Sequence, residues 1–277
     1  MSLNSVNTNV GAMIALQSLT AVNAQLYTAQ RRISTGLKVA SVKDNGAIWA
    51  IAQNQRAESR SLDAVKTSLQ RGQSIADIAI AGAESISDLL MQMKEKALAA
   101  SDPTITATDK AAFNEDYIAL RKQIDRVTSN ATFGGVSLIS SGSAGNIRAL
   151  ANASASATVD VDHIDLSTTG GTIAGTLTDL SGTVSATDLA AIDTALRAVN
   201  TAAAKFGTGS KALDTHFTFV GKLQDVIDAG VGRLVDADLG RESARLQALQ
   251  VMQQLAIQAL SIANQAPSLL LQLFRSR

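Results

Sequence analysis

The chain has 277 residues, and its 24 Lys and Arg are balanced by 24 Asp and Glu. That balance lacks the basic face needed to neutralise phosphates, so no nucleic-acid partner is expected. Cysteine is absent, which removes disulfide, thiolate and Cys-type zinc chemistry, and the two histidines, His163 and His216, are too far apart to suggest a metal set.

Aromatics make up only 3% of the residues, so a core built on Phe and Trp is not expected, and two prolines leave long helices free to run. The charge is unevenly placed: residues 1–30 carry no charged side chain, and neither do residues 246–274. Asn and Gln interrupt both stretches, so neither gives the ~20 apolar residues of a membrane span. The start lacks the positive charge of a secretory signal peptide. Leu3, Val6, Val10, Met13, Leu16, Leu19, Val22 and Leu26 have helical spacing but drift around the cylinder. At the other end Val251, Met252, Leu255, Ile257, Leu260 and Ile262 cover more than one face. A helix that is apolar on several sides needs several neighbours. The ends are therefore expected to pack with each other and with other subunits.

Next in chain order comes a heptad frame from Ile48 and Ile51 to Ala97, with Leu62, Val65, Leu69, Ile86 and Leu90 on its seam and Gln55, Glu58 and Gly72 as its imperfect positions. At 1.5 Å per residue this helix would be about 75–80 Å long, ending at Ser101-Asp102-Pro103. A second stripe, Phe113, Tyr117, Leu120, Ile124 and Val127, predicts a helix capped at Thr108-Asp109. Residues 134–186 are rich in Gly, Ser, Thr, Ala and Asn, with candidate strands at 157–162 and 172–177. They predict a β-rich excursion of one or two hairpins at the tip of a helical rod. A last long frame runs from Leu189 to Leu234 through Leu196, Val199, Phe206, Leu213, Val220 and Ile227, and keeps its phase across Gly207, Gly209 and Gly221. That persistence favours one helix. The fold class is mainly α: a long antiparallel coiled-coil rod with paired terminal helices and a small β-hairpin excursion. An ordinary helix bundle would use similar stripes.

Catalytic signatures are missing. There is no G-x-S-x-G elbow, Walker A loop or H-E-x-x-H helix. Gly207-Thr208-Gly209-Ser210-Lys211 lies inside a heptad frame and lacks a preceding strand, so it reads as helix packing. Asp236, Asp238, Arg241, Glu242 and Arg245 read as a capping and salt-bridge face. No cofactor and no enzymatic activity are expected.

Gln30-Arg31-Arg32-Ile33-Ser34-Thr35-Gly36-Leu37-Lys38-Val39, followed by Lys43-Asp44-Asn45, resembles the N-terminal signature of bacterial flagellins. Ser74-Ile75-Ala76, Ile124-Asp125-Arg126-Val127 and Thr132-Phe133-Gly134-Gly135-Val136 are similar too. So are Asp236-Ala237-Asp238, Ala263-Asn264-Gln265-Ala266-Pro267 and the ending Leu269-Leu270 to Phe274-Arg275. The resemblance covers roughly residues 1–140 and 187–275. Asn45, Trp49 and the Ser-Thr-Gly wording resemble alphaproteobacterial flagellins most.

The resemblance implies a secreted, extracellular subunit of the bacterial flagellum filament, exported by the flagellar type III apparatus. Residues 1–43 and 237–277 would form the inner-tube domain. Residues 44–236 would form the long-helix outer-tube domain, with 134–186 as its small, surface-exposed segment. The implied partners are other copies of the chain, flagellin paralogues, an export chaperone, and the filament cap and hook-associated proteins. Leu3, Val6, Val10, Met13, Leu16, Leu19, Leu26, Val251, Leu255 and Ile262 are the expected inner-tube assembly residues. Residues 91–98 differ from the family's receptor-recognised stretch at Gln92 and Lys96, so that recognition is not carried over. A hook–filament junction protein of the same family and a secreted coiled-coil adhesin or translocator are the alternative readings.

Overall fold

The computed structural model describes residues 8–142, 145–177 and 184–275; the expected assembly residues Leu3 and Val6, and the last two residues, lie outside that set. Among the described residues there are five helices and one hairpin: α1 (Val10–Thr35), α2 (Gly46–Ala100), α3 (Ala107–Asn130), β1 (Ile147–Leu150), β2 (Thr158–Val161), α4 (Ala186–Val235) and α5 (Leu239–Arg275). The fold is thus mainly α with a small antiparallel hairpin, as the heptad frames require.

The helix ends follow from local side-chain chemistry. Asn45 starts α2 by accepting the Ile48 N–H at 3.1 Å. Beyond its other end, Asp102 Oδ1 accepts the Thr104 N–H at 2.8 Å and the Thr104 hydroxyl at 2.6 Å. These bonds hold the Asp102 carboxyl below its ordinary range. The α3 cap is two residues earlier than expected: Thr106 is the N-cap and Asp109 completes a capping box from the third helical position. Thr108 was the wrong threonine because the box needs its acidic partner three residues on, and only Thr106 stands at that distance from Asp109. Ser185 and Asp188 start α4 in the same reciprocal way.

By packing, the chain divides into two compact units, residues 1–57 with 227–277, and residues 58–226. In the second unit α2 and α4 run antiparallel. Gln224 Nε2 donates to Asp63 Oδ1 at 2.9 Å, Gln73 Nε2 to Asp214 Oδ1 at 3.4 Å, and Ser210 Oγ to Asp77 Oδ1 at 3.1 Å. Ser87 bonds Asn200, and Lys94 pairs with Asp193 at 2.6 Å. Every residue gained along α2 in this series is matched by one lost along α4, so a single register holds throughout the unit. Its seam buries Leu62, Val65, Leu69, Ile86 and Leu90 from α2, and Val199, Phe206, Leu213 and Val220 from α4. Leu196 is only half-buried while its neighbour Ala195 is inside, and Ile227, which belongs to the first unit, is half-buried beside the buried Val231. The phase also slips at the far ends of the frames: Ala52 and Val235 are buried where Ile51 and Leu234 were expected. An α-helix of 3.6 residues per turn drifts from a 3.5 repeat, and these ends have drifted by one residue.

Among its described residues the excursion holds one hairpin, with Ile147 opposite Val161 and Leu150 opposite Thr158. It does not sit at a tip. The Leu150 N–H donates to Ser68 Oγ at 3.0 Å, His216 Nε2 bonds Ala151 O at 2.7 Å, and Val161 lies against Gly209, all in the interiors of α2 and α4. Nor is the 134–186 segment exposed throughout, since Leu138, Ile139, Leu166 and Ile173 are fully buried. Thr168 fastens the segment to α3, donating its N–H and hydroxyl to Asp125 at 2.9 and 2.6 Å. The expected strand at 172–177 is a series of turns, because its amides bond nearby carbonyls of Asp165, Gly171 and Ile173. Asn152 closes the hairpin loop, accepting from Ser156 N at 3.0 Å and donating to Ser156 Oγ at 2.8 Å.

Candidate assembly interface

In the first compact unit α1 and α5 pair antiparallel. The seam alternates steps of three and four on both helices: Ala12, Ala15, Leu19, Val22, Leu26 and Ala29 against Leu246, Leu249, Gln253, Ala256, Leu260 and Ala263. Polar links fix it along its length. Arg32 Nη1 meets Glu242 Oε1 at 2.8 Å, Gln253 Nε2 donates to Asn23 Oδ1 at 2.7 Å, and Asn9 Nδ2 donates to Ala263 O at 2.7 Å.

The signature residues around position 40 build the base of this pair. Gly36 ends α1 at φ 70°, a left-handed conformation that costs glycine little, and its carbonyl takes the Ala237 N–H at 2.9 Å. The Lys38 and Val39 N–H groups both reach Val235 O. Val39, Ala52, Val231 and Val235 form a small core with Leu37, Ile48, Trp49 and Ile227 against it. Asp44 gathers the Ala40 and Ser41 N–H groups, the Ser41 hydroxyl and the Arg31 guanidinium. Burial pushes the Asp44 carboxyl up, but the Ser41 bonds, Arg31 and the Ala40 amide together outweigh it and hold the carboxyl below its ordinary range. Asp238 Oδ1 accepts the Arg241 N–H at the start of α5. The 236–245 cluster therefore caps and pairs.

The opposite faces of both helices have no cover among the described residues. Val10, Met13 and Leu16 on α1 are exposed, as are Val251, Leu255 and Ile262 on α5, with Leu255 at 57% and Ile262 at 70%. Leu19 and Leu26 turn inward to the seam. Ile14, Tyr27, Met252 and Ile257 join the outward face. Ile14 and Tyr27 are missing from the sequence-based set, although the same lack of charge surrounds them. An uncovered face of this size, without charge, marks an interaction surface. In the other unit Phe219, Leu223 and Val226 form a second exposed apolar row at helical spacing on α4.

The remaining polar candidates are occupied structurally. His163 Nε2 bonds Ser140 O at 2.9 Å, as His216 does Ala151 O. Gly209, in the glycine-rich run, faces Val161. Among the described residues no three His, Cys, Asp or Glu side chains gather to hold a metal ion, and no helix is long and apolar enough to cross a membrane.

Residues 6–144 match the bacterial flagellin N-terminal helical region, and residues 189–274 match the bacterial flagellin C-terminal helical region. Flagellin FljK of Caulobacter vibrioides is 54% identical over 276 residues, covering 99% of this chain and all of that one. A flagellin of Brucella melitensis is 37% identical over 282 residues, covering 98% of this chain and 99% of its own. The crystal structure of Bacillus cereus flagellin aligns with 55% of this chain and 88% of its own, at 28% identity and a TM-score of 0.49. With both terminal regions matched and full-length relatives above half identity, the chain belongs to the bacterial flagellin family.

Proposed function

We propose that this chain is a structural subunit that polymerises into the flagellar filament. The observation carrying that reading is the α1–α5 pair: its seam is satisfied between the two helices, while among the described residues a second apolar face on each helix is left bare and uncharged. Neighbouring copies would cover those faces, gaining about 25 cal/mol for each Å² of apolar surface removed from water. A contact between different patches, repeated with a rotation that does not close a ring, would propagate a fibre. Residues 1–43 with 237–277 would form the inner tube and 44–236 the outer one. Phe219, Leu223 and Val226 offer further apolar surface to neighbours in the outer layer. The chain would reach its extracellular site through the flagellar type III apparatus with an export chaperone, and would meet the cap and hook-associated proteins at the filament ends.

Seeding purified monomer with filament fragments at neutral pH and viewing the product by negative-stain microscopy tests this. Micrometre filaments are expected. Short rings would favour the junction protein, and a soluble helical oligomer without growth would favour the adhesin.

A further inference from the structure

Pro267 lies within α5. A proline nitrogen carries no hydrogen, so the carbonyl four residues back, that of Ala263, loses its ordinary i+4 helical donor. Asn9 supplies one: its Nδ2 donates to Ala263 O at 2.7 Å, while its Oδ1 accepts the Ala12 N–H at 2.9 Å and caps α1. Asp and Ser cap helices about as well as Asn, but neither can accept at the cap and present an amide N–H across the seam. Gly11 sits at the same crossing, where an added Cβ would be 3.8 Å from Ala263 Cβ.

We infer that Asn9 and Pro267 act together as a register pin for the α1–α5 pair. The Ala- and Leu-rich seam repeats its spacing every seven residues, so apolar burial discriminates weakly between registers one heptad apart. A carbonyl freed at one place in α5 removes that ambiguity, because only one register lets the α1 cap reach it. Asn9 is a positioning residue: it sets which outward side chains of the two helices come level. The inference rests on the reading of α1 and α5 as the inner-tube pair.

The chain has no cysteine, so a reporter pair can be added cleanly. Gly11→Cys with Ala263→Cys places two sulfurs at a Cβ separation suited to a disulfide. In filaments of the full-length chain, oxidation should link most chains internally, read as a shifted band on a non-reducing gel. Asn9→Asp keeps the cap and loses the donor, and Asn9→Ser keeps the cap but withdraws the donor to a hydroxyl one bond closer to the backbone than the amide nitrogen that reaches Ala263 O. Made without the cysteines, each should raise the critical concentration for seeded growth about five- to tenfold. With the cysteines, each should lower the internal cross-link yield. Pro267→Ala restores the missing hydrogen, and in that background Asn9→Asp should change neither readout. Unchanged growth and cross-linking in Asn9→Asp would overturn the pin, as would an equal loss in the Pro267→Ala background. Filaments that grow with Asn9 and Pro267 in place yet never cross-link internally would instead refute the pairing, and with it the inner-tube reading.

Discussion

Leu255 offers the sharpest test of the outward face. Complete burial of a leucine contributes about 1.5–3 kcal/mol. In the single chain 57% of Leu255 is still exposed, so covering it on assembly is worth a little over half of that, about 1–1.5 kcal/mol. Leu255→Ala should therefore raise the critical concentration about five- to tenfold. Leu255→Asp should stop growth altogether at micromolar protein, since a carboxylate buried without a partner costs several kcal/mol and α5 carries no basic residue between Arg245 and Arg275. The penalty has a pH signature. Burial raises the pKa of the new aspartate, so the block is complete at neutral pH and weakens as the solution is acidified through that raised value. Seeded growth followed by light scattering gives the critical concentration, and far-ultraviolet circular dichroism follows the melting of α2, α3 and α4, whose core excludes Leu255. Long filaments of pure Leu255→Asp chains at the unmodified critical concentration would refute the reasoning. A collapse of the helical melt would refute the separation of this face from the core.

Three further outcomes rest on other parts of the fold. Gly209→Ala would place its Cβ 2.8 Å from Val161 Cγ1, whereas Gly207→Ala meets nothing within 4 Å. The first should lose about 1 kcal/mol by pushing the hairpin off α4, the second should gain up to about 1 kcal/mol of helix propensity, and paired thermal melts read the opposite signs. Ala155 holds φ 55° in the hairpin loop, so Ala155→Gly should raise the thermal midpoint, by about 0.5 kcal/mol of relieved strain. Asp44, whose carboxyl is held below its usual range, stabilises its unit above the unfolded pKa near 3.8, and that contribution fades as pH falls through its lower folded value. Asp44→Asn should be less stable at neutral pH, with the gap closing in acid. The emission of Trp49, the one tryptophan, reports it from the adjoining core.

Much of the fold was legible because long helices advertise themselves by repetition. A frame that holds from Leu62 to Ala97 averages out single exceptions such as Gly72, and the same holds from Ile192 to Val220. Single residues near the ends are not protected by averaging, so Ala52 displaced Ile51 and Val235 displaced Leu234. Caps depend on one hydrogen bond, and two threonines two residues apart were enough to misplace that of α3. The hairpin's position was not legible: its anchors, Ile147, Ala149 and Val161, are short apolar residues in a small-residue background, and their docking sites on α2 and α4 are far away in sequence. The assembly face was legible as a lack of charge but not as a face. Leu19 and Leu16 look alike in the sequence, and only the pairing of α1 with α5 turns one inward and leaves the other bare.

The missing charge has a consequence for the medium in which such a filament works. Between 0.01 M and 0.1 M salt the screening length falls from about 30 Å to about 10 Å, a change that weakens contacts made by surface ion pairs. Contacts between the outward faces of α1 and α5 contain nothing for the salt to screen. A fibre held by them would lose nothing to charge screening as the medium changes from fresh water to brine. Its vulnerability is thermal instead: apolar burial weakens on cooling, so cold rather than dilution is the condition that loosens it.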